Sequence, residues 1–184
     1  MKKIGDDAFV FPIGDGSTWA RLEISAPATA TTEFTAEYFD SNPDLQWKTN
    51  NKAASLYSVS KCEYWTLTRN AGSASVRVGL SWTSPVSCGI NTISDLRVAR
   101  WDSVASRWSD LGNSMVTGDV SNGTLLSVSS GSPYGVFTLG SSSASNSLPV
   151  ELVYFNATIA GEKVECKWKT QSEKNNSHFT IERS

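Results

Sequence analysis

A chain of 184 residues with 39% hydrophobic and 18% charged positions has the composition of a folded protein, and its length suits one domain plus part of another. Its net charge is −2, and no basic cluster exceeds Lys2-Lys3, which argues against nucleic acid as a partner because phosphate binding needs a positive stripe. No apolar run approaches the roughly 18 residues of a membrane span, so no membrane insertion is expected.

Met1-Lys2-Lys3 is followed by Ile4-Gly5-Asp6-Asp7, where a signal peptide would place an apolar stretch, so this chain reads as carrying no signal peptide. Its start looks like a cut inside a longer protein. Ala8 to Ile13 is a short apolar strand, and Gly14-Asp15-Gly16-Ser17 is a turn signal. Ala20, Leu22 and Ile24 then point inward against Arg21, Glu23 and Ser25, and Thr32, Phe34, Ala36 and Tyr38 repeat the alternation. Asp40 to Asn51 is polar and reads as a loop. Leu56 to Ser60 leads into Cys62–Trp82, the most strongly patterned stretch of the chain. There Glu63 to Thr68 and the alternating Val76, Val78, Leu80 and Trp82 flank Asn70-Ala71-Gly72-Ser73, which predicts a central hairpin.

Asp95–Trp101 and Arg107–Leu111 predict a second hairpin with Asp102–Ser106 at its tip. Thr124–Val128 and Tyr134–Leu139 predict a third, turning through Ser130-Gly131-Ser132-Pro133. With no sustained helical period, strands at this spacing indicate an all-β antiparallel β-sandwich. Residues 1–140 are assigned to it. Residues 141–147 form a Ser-rich linker, and residues 148–184 begin a second module. Three strands are expected in that module, Glu151–Thr158, one around Val164, Cys166 and Trp168, and one around Phe179 and Ile181. They leave a buried face without a covering sheet, so residues 150–184 are expected either to self-associate with a neighbouring copy or to fold back onto the first domain.

The antiparallel ends of the central hairpin bring Cys62 near Trp82, and Cys88 follows six residues later. A Cys62–Cys88 disulfide is one reading, and two small buried thiols are the other. Cys166 has no obvious partner. His178 is the only histidine, so the first domain holds no Ser-His-Asp or Cys-His site and no His-ligated zinc. Glu33, Glu37, Glu63, Asp95 and Asp119 fall on expected outward faces or turns, and no pair among them has the look of a glycosidase site. Asp40-Ser41-Asn42-Pro43-Asp44 places oxygens at alternate positions, yet Pro43 and the missing glycine favour an Asx-rich turn over a calcium loop. No catalytic residue, metal or cofactor is assigned.

Seven tryptophans raise the question of carbohydrate binding. Trp65, Trp82 and Trp168 sit on apolar strand faces and read as core. Trp47, in a polar loop, and Trp101 and Trp108, flanking a hairpin tip, are the candidate ligand-binding residues, with cross-strand pairing as the alternative for the last two.

The tail runs Leu148-Pro149-Val150-Glu151-Leu152, Phe155-Asn156-Ala157, Trp168-Lys169-Thr170, Glu173-Lys174-Asn175-Asn176 and Phe179-Thr180-Ile181-Glu182-Arg183-Ser184. In this order the motifs resemble the fibronectin type III-like module that precedes the sorting domain in large secreted surface proteins of Bacteroidota-type bacteria, exported by type IX secretion. Phe9-Val10-Phe11-Pro12-Ile13-Gly14-Asp15, Glu63-Tyr64-Trp65, Val98-Ala99-Arg100-Trp101 and Phe137-Thr138-Leu139-Gly140 resemble the domain upstream of it. The resemblance implies a location, secreted or cell-surface, and no catalytic residues. It also raises O-glycosylation at Ser103, since Asp102-Ser103-Val104 is similar to the modification motif of such bacteria, with a plain unmodified turn as the other reading. The expected function is a non-catalytic structural or interaction module whose partners are neighbouring domains of its parent protein. The alternative is a carbohydrate-binding module that contacts surface glycan.

Overall fold

The computed structural model describes residues 1–84, 86–146, 152–161 and 163–170. Among these residues sixteen strands follow one another: β1 (Lys2–Ile4), β2 (Phe9–Phe11), β3 (Gly14–Asp15), β4 (Thr18–Trp19), β5 (Leu22–Ile24), β6 (Glu33–Phe39), β7 (Ser58–Val59) and β8 (Tyr64–Ala71), then β9 (Arg77–Thr83), β10 (Leu96–Asp102), β11 (Arg107–Asp110), β12 (Met115–Gly118), β13 (Asn122–Ser130), β14 (Gly135–Ser141), β15 (Leu152–Ala160) and β16 (Lys163–Thr170). The chain divides into two compact units, Met1–Leu148 and Pro149–Ser184.

In the first unit a seven-stranded sheet has the order β1-β6-β8-β14-β10-β11, with β7 also on β14, and a five-stranded sheet has the order β12-β13-β9-β5-β2. All pairings are antiparallel. The period-2 pattern places Phe34, Ala36, Trp65, Leu67, Phe137 and Leu139 of one sheet against Phe11, Leu22, Ile24, Val78, Leu80 and Trp82 of the other in a single core. Each large side chain sealed there contributes about 1.5–3 kcal/mol. The Trp65 indole donates to the Ala20 carbonyl at 2.9 Å, which satisfies its only polar atom inside the core. The unit is an all-β sandwich, as its strand pattern predicts. No helix among the described residues is long and apolar enough to cross a membrane.

Two of the three predicted hairpins are not hairpins. β8 and β9 belong to opposite sheets, and so do β13 and β14, so each pair is joined by an arch over one end of the sandwich. The two arches are built on each other. The Gly131 amide donates to the Val76 carbonyl at 2.9 Å, and the Tyr134 hydroxyl accepts from the Val76 amide at 2.8 Å. The Tyr134 ring meets Phe34 edge-on at 5.0 Å and lies under the Arg69 guanidinium. Arg69 in turn donates to the Ser73 and Ala74 carbonyls. These bonds satisfy arch backbone that a hairpin ladder would otherwise have paired. The predicted hairpin between β10 and β11 is present, with Trp101 opposite Trp108. β12 and β13 form a further hairpin that the strand pattern did not disclose.

The Ser-rich stretch is not a free linker from residue 141. Ser141 is the buried last residue of β14, and Asn146 is 3% exposed. Asn146 Oδ1 accepts from the amides of Asn91 and Thr92 at 2.9 and 2.8 Å, and its Nδ2 donates to the Thr92 carbonyl at 2.8 Å. Hydrogen bonding by short polar side chains, invisible to composition, thus holds the stretch to the first unit.

In the second unit β15 and β16 pair antiparallel, Phe155 opposite Trp168 and Ala157 opposite Cys166. Trp168, read from sequence as core, is 37% exposed and Phe155 is 50% exposed. The expected strand around Phe179 and Ile181, and His178, lie outside the described residues, as does all of 171–184 within the segment 150–184 for which self-association is expected.

Candidate functional site

The sequence-predicted tryptophans gather into a second, smaller core on the outer face of the seven-stranded sheet. Trp108 is fully buried with Leu56, Val59, Tyr64, Ala99 and Val136, and Trp47, Trp101 and Phe39 pack half-buried against them. Its indole donates to the Trp47 carbonyl at 3.1 Å, and its ring meets Trp101 edge-on at 5.6 Å. Trp47 meets Tyr64 at 5.2 Å, and Tyr64 stacks on Phe39 at 4.6 Å. The long loop before β7 lies over this cluster, with the Ala53 amide on the Trp108 carbonyl and the Trp108 amide on the Asn51 carbonyl. Trp108 is therefore a packing residue and not a ligand platform. Trp47 and Trp101 are occupied chiefly by their neighbours.

Within that loop Asp44 Oδ1 accepts from the Thr49 amide and hydroxyl, both at 2.7 Å, and Asn42 Oδ1 accepts from the Asp44 amide. Burial raises the Asp44 carboxyl, but the Thr49 bonds outweigh it and hold the group below the usual range. This is an Asx turn closed on itself. No group of three or more His, Cys, Asp or Glu among the described residues is arranged to hold a metal.

Cys62 and Cys88 are joined as a disulfide with a Cα–Cα distance of 6.2 Å, inside the usual range. The pairing does not arise from a hairpin. β8 and β9 run across from each other in facing sheets, so the start of one and the end of the other share the end of the sandwich opposite the arch. Cys88 takes a left-handed backbone, φ 55°, beside Gly89 at φ 64°. Cys166 is free.

Next to the bridge, Glu63 is 1% exposed, not on an outward face as expected. Tyr38 donates its hydroxyl to Oε2 at 2.8 Å, and Oε1 has no hydrogen-bond partner of good geometry. Burial pushes the carboxyl up to about 7, against the lowering effects of the Ser87 and Tyr38 hydroxyls. Burial also raises the Tyr38 phenol, reinforced by the Glu63 charge. The carboxyl is sealed by protein, so the shift is a property of the core. It does not mark a site open to substrate.

Ser103 and Val104 are exposed at the β10–β11 tip, where Asp102 Oδ1 accepts from the Val104 and Ala105 amides at 3.0 Å.

The exposed aromatic that the sequence reading passed over is Trp19. The β3–β4 hairpin turns through Gly16 at φ 56°, a left-handed position natural to glycine, and presents Trp19 with 58% of its surface open. The Arg21 guanidinium sits over the indole at 4.6 Å, a cation–π contact that fixes the ring from one side. Beneath them an open groove of about 420 Å³ runs onto the five-stranded sheet, lined by Trp19, Arg21, Ser81, Thr83 and Asn122 among others. The register explains the grouping. Asn122 lies opposite Thr83, Thr124 opposite Ser81, and Glu23 opposite Gly79, so these side chains share the outer face. The Ser81 hydroxyl, on the groove floor, is buried and has no hydrogen-bond partner among the described residues.

A second groove of about 420 Å³ lies further along the same face, lined by Val10, Glu23, Arg77 and Leu126. Glu23 lies over Gly79, where a Cβ would collide with its side chain. Burial raises the Glu23 carboxyl, against the lowering pull of Arg21. Compared with protein-family models, curated protein sequences and solved structures, the chain matches none.

Proposed function

We propose that this chain is a non-catalytic interaction module of a secreted or cell-surface, adhesin-like protein of the type IX secretion class, its second unit being the start of a fibronectin type III-like module. The observation that carries the reading is the Cys62–Cys88 disulfide, because structural bridges persist in oxidising compartments outside the cytoplasm. The tail motifs that resemble the module before a sorting domain support the same location. The first unit contains no histidine, and its most strongly raised carboxyl, Glu63, is sealed in the core. That favours a holding or binding role over catalysis. Neighbouring domains of the parent protein are its partners, and Ser103 at the exposed tip is a site for O-glycan.

Surface biotinylation of intact source cells, read with an antibody against this chain, tests the reading. Labelling before lysis, with Cys62 and Cys88 blocked to alkylation until reduction, is expected. A protein labelled only after lysis, with both thiols free, would overturn the location. Release of reducing ends from polysaccharide by the purified chain would overturn the non-catalytic assignment.

A further inference from the structure

We propose that the groove beneath Trp19, on the outer face of the five-stranded sheet, binds a carboxylate-bearing glycan stacked on Trp19 over Ser81 and Thr83 of β9. The inference rests on the reading of this chain as an interaction module and supplies the ligand class.

β9 is the middle strand of its sheet, paired with β5 and β13, and its outward residues Gly79, Ser81 and Thr83 are small. Longer side chains flank them, Arg21 and Glu23 on one side and Thr124 and Leu126 on the other. Glu23 lies over Gly79, so the open part of this face is the groove over Ser81 and Thr83, beneath Trp19.

Trp19 offers an indole held by Arg21 and otherwise open, the surface on which the C–H face of a sugar stacks. Around it Ser81, Thr83 and Asn122 supply short polar side chains for hydroxyl groups. The Ser81 hydroxyl is the telling one. A buried hydroxyl without a partner costs about 1–3 kcal/mol, and a ligand hydroxyl in the groove would remove that cost.

The charge on the face points to acidic sugars. Arg21 lines this groove, and no carboxylate is among its described lining residues. A peptide fits less well. Strand addition needs an open sheet edge, whereas β9 is paired on both sides.

Calorimetric titration of the full chain with oligogalacturonate, cello-oligosaccharide and a proline-rich peptide tests this. Oligogalacturonate is expected to bind saturably and more weakly as salt rises. W19A should weaken it about tenfold or more, R21Q should weaken it and flatten the salt dependence, and S81A should weaken it several-fold. All three should leave the thermal midpoint nearly unchanged. No saturable binding of oligogalacturonate would overturn the proposal, and so would unaltered affinity in W19A. Equal binding of the neutral oligosaccharide with no loss in R21Q would overturn the acidic assignment. Tighter binding of the peptide at Trp19 would give the face to a protein partner instead. Failure here with the protein surface-labelled leaves the module reading intact, and labelling only after lysis overturns that reading whatever the sugar result.

Discussion

Replacing Glu63 with glutamine isolates the carboxyl, among the described residues, whose ionisation the fold opposes most strongly. With a folded pKa of about 7 against 4.5 for the ordinary group, the folded state binds the proton more tightly than the unfolded one. The stability this contributes is fully present below the unfolded value and is lost as pH rises through the folded one. A shift of that size corresponds to a loss on the order of 3 kcal/mol. The glutamine amide would keep an acceptor for the Tyr38 hydroxyl but would not ionise. The assay is urea unfolding of both proteins across the range from about pH 4.5 to about pH 8. The two should be similar at the acid end, and E63Q should become the more stable by on the order of 3 kcal/mol at the alkaline end. In melting temperature that is roughly 6–12 °C for a unit of this size. Carboxyls held low by hydrogen bonds, Glu33, Asp44, Asp102 and Asp119, act with the opposite sign. Their contribution is present above the ordinary carboxylate range and falls on acidification, so the difference between wild type and E63Q is the quantity to read. Y38F should move the wild-type loss to higher pH by removing the donor that favours the ion. Parallel curves for wild type and E63Q, separated by a constant offset, would refute the reasoning.

Reduction of Cys62–Cys88, which closes a separation of 26 residues, should lower stability by about 3.5 kcal/mol in the chain-entropy model, and alkylation of the unfolded, unreduced protein should modify only Cys166. W108A should cost about 3–5 kcal/mol through the cavity it leaves, with glycan affinity unchanged in whatever fraction remains folded. N146A should cost about 2–4 kcal/mol by stranding the Asn91 and Thr92 amides, seen in denaturant unfolding together with faster hydrogen exchange at Thr92.

The strand alternation was enough to read the architecture, because a residue's inward or outward setting depends only on period 2. Phe34, Ala36 and Tyr38 in β6, and Val78, Leu80 and Trp82 in β9, are buried as that pattern requires. What the pattern does not carry is which strand pairs with which. A hairpin and an arch both join two half-buried strands through a short polar turn. The Asn70–Ser73 turn signal is equally compatible with either, and the decision falls to distant residues such as Tyr134 and Gly131. The disulfide pairing survives this error because a hairpin and an arch place Cys62 and Cys88 at the same end of the molecule.

The site was less legible than the fold, and the tryptophans show why. Burial of an aromatic depends on what a loop covers, so Trp47 and Trp108, both candidate ligand-binding residues by sequence, are absorbed by a second core that only exists once residues 47–59 lie on the outer sheet face. Trp19 reads the other way. Its position beside Gly14-Asp15-Gly16-Ser17 was available as a signal, since an aromatic leaving a tight turn has few neighbours to bury it, yet its alternation with Ala20 and Arg21 marks no face on its own. What makes it a candidate is a cross-strand coincidence among Arg21, Ser81, Thr83 and Asn122, residues separated by up to about a hundred positions in the chain. Their outward polar types are what any solvent-facing strand carries. Only the register shows that Ser81 and Thr83 fall on the central strand beside Asn122, which turns an ordinary polar face into the floor of a groove with an aromatic over it.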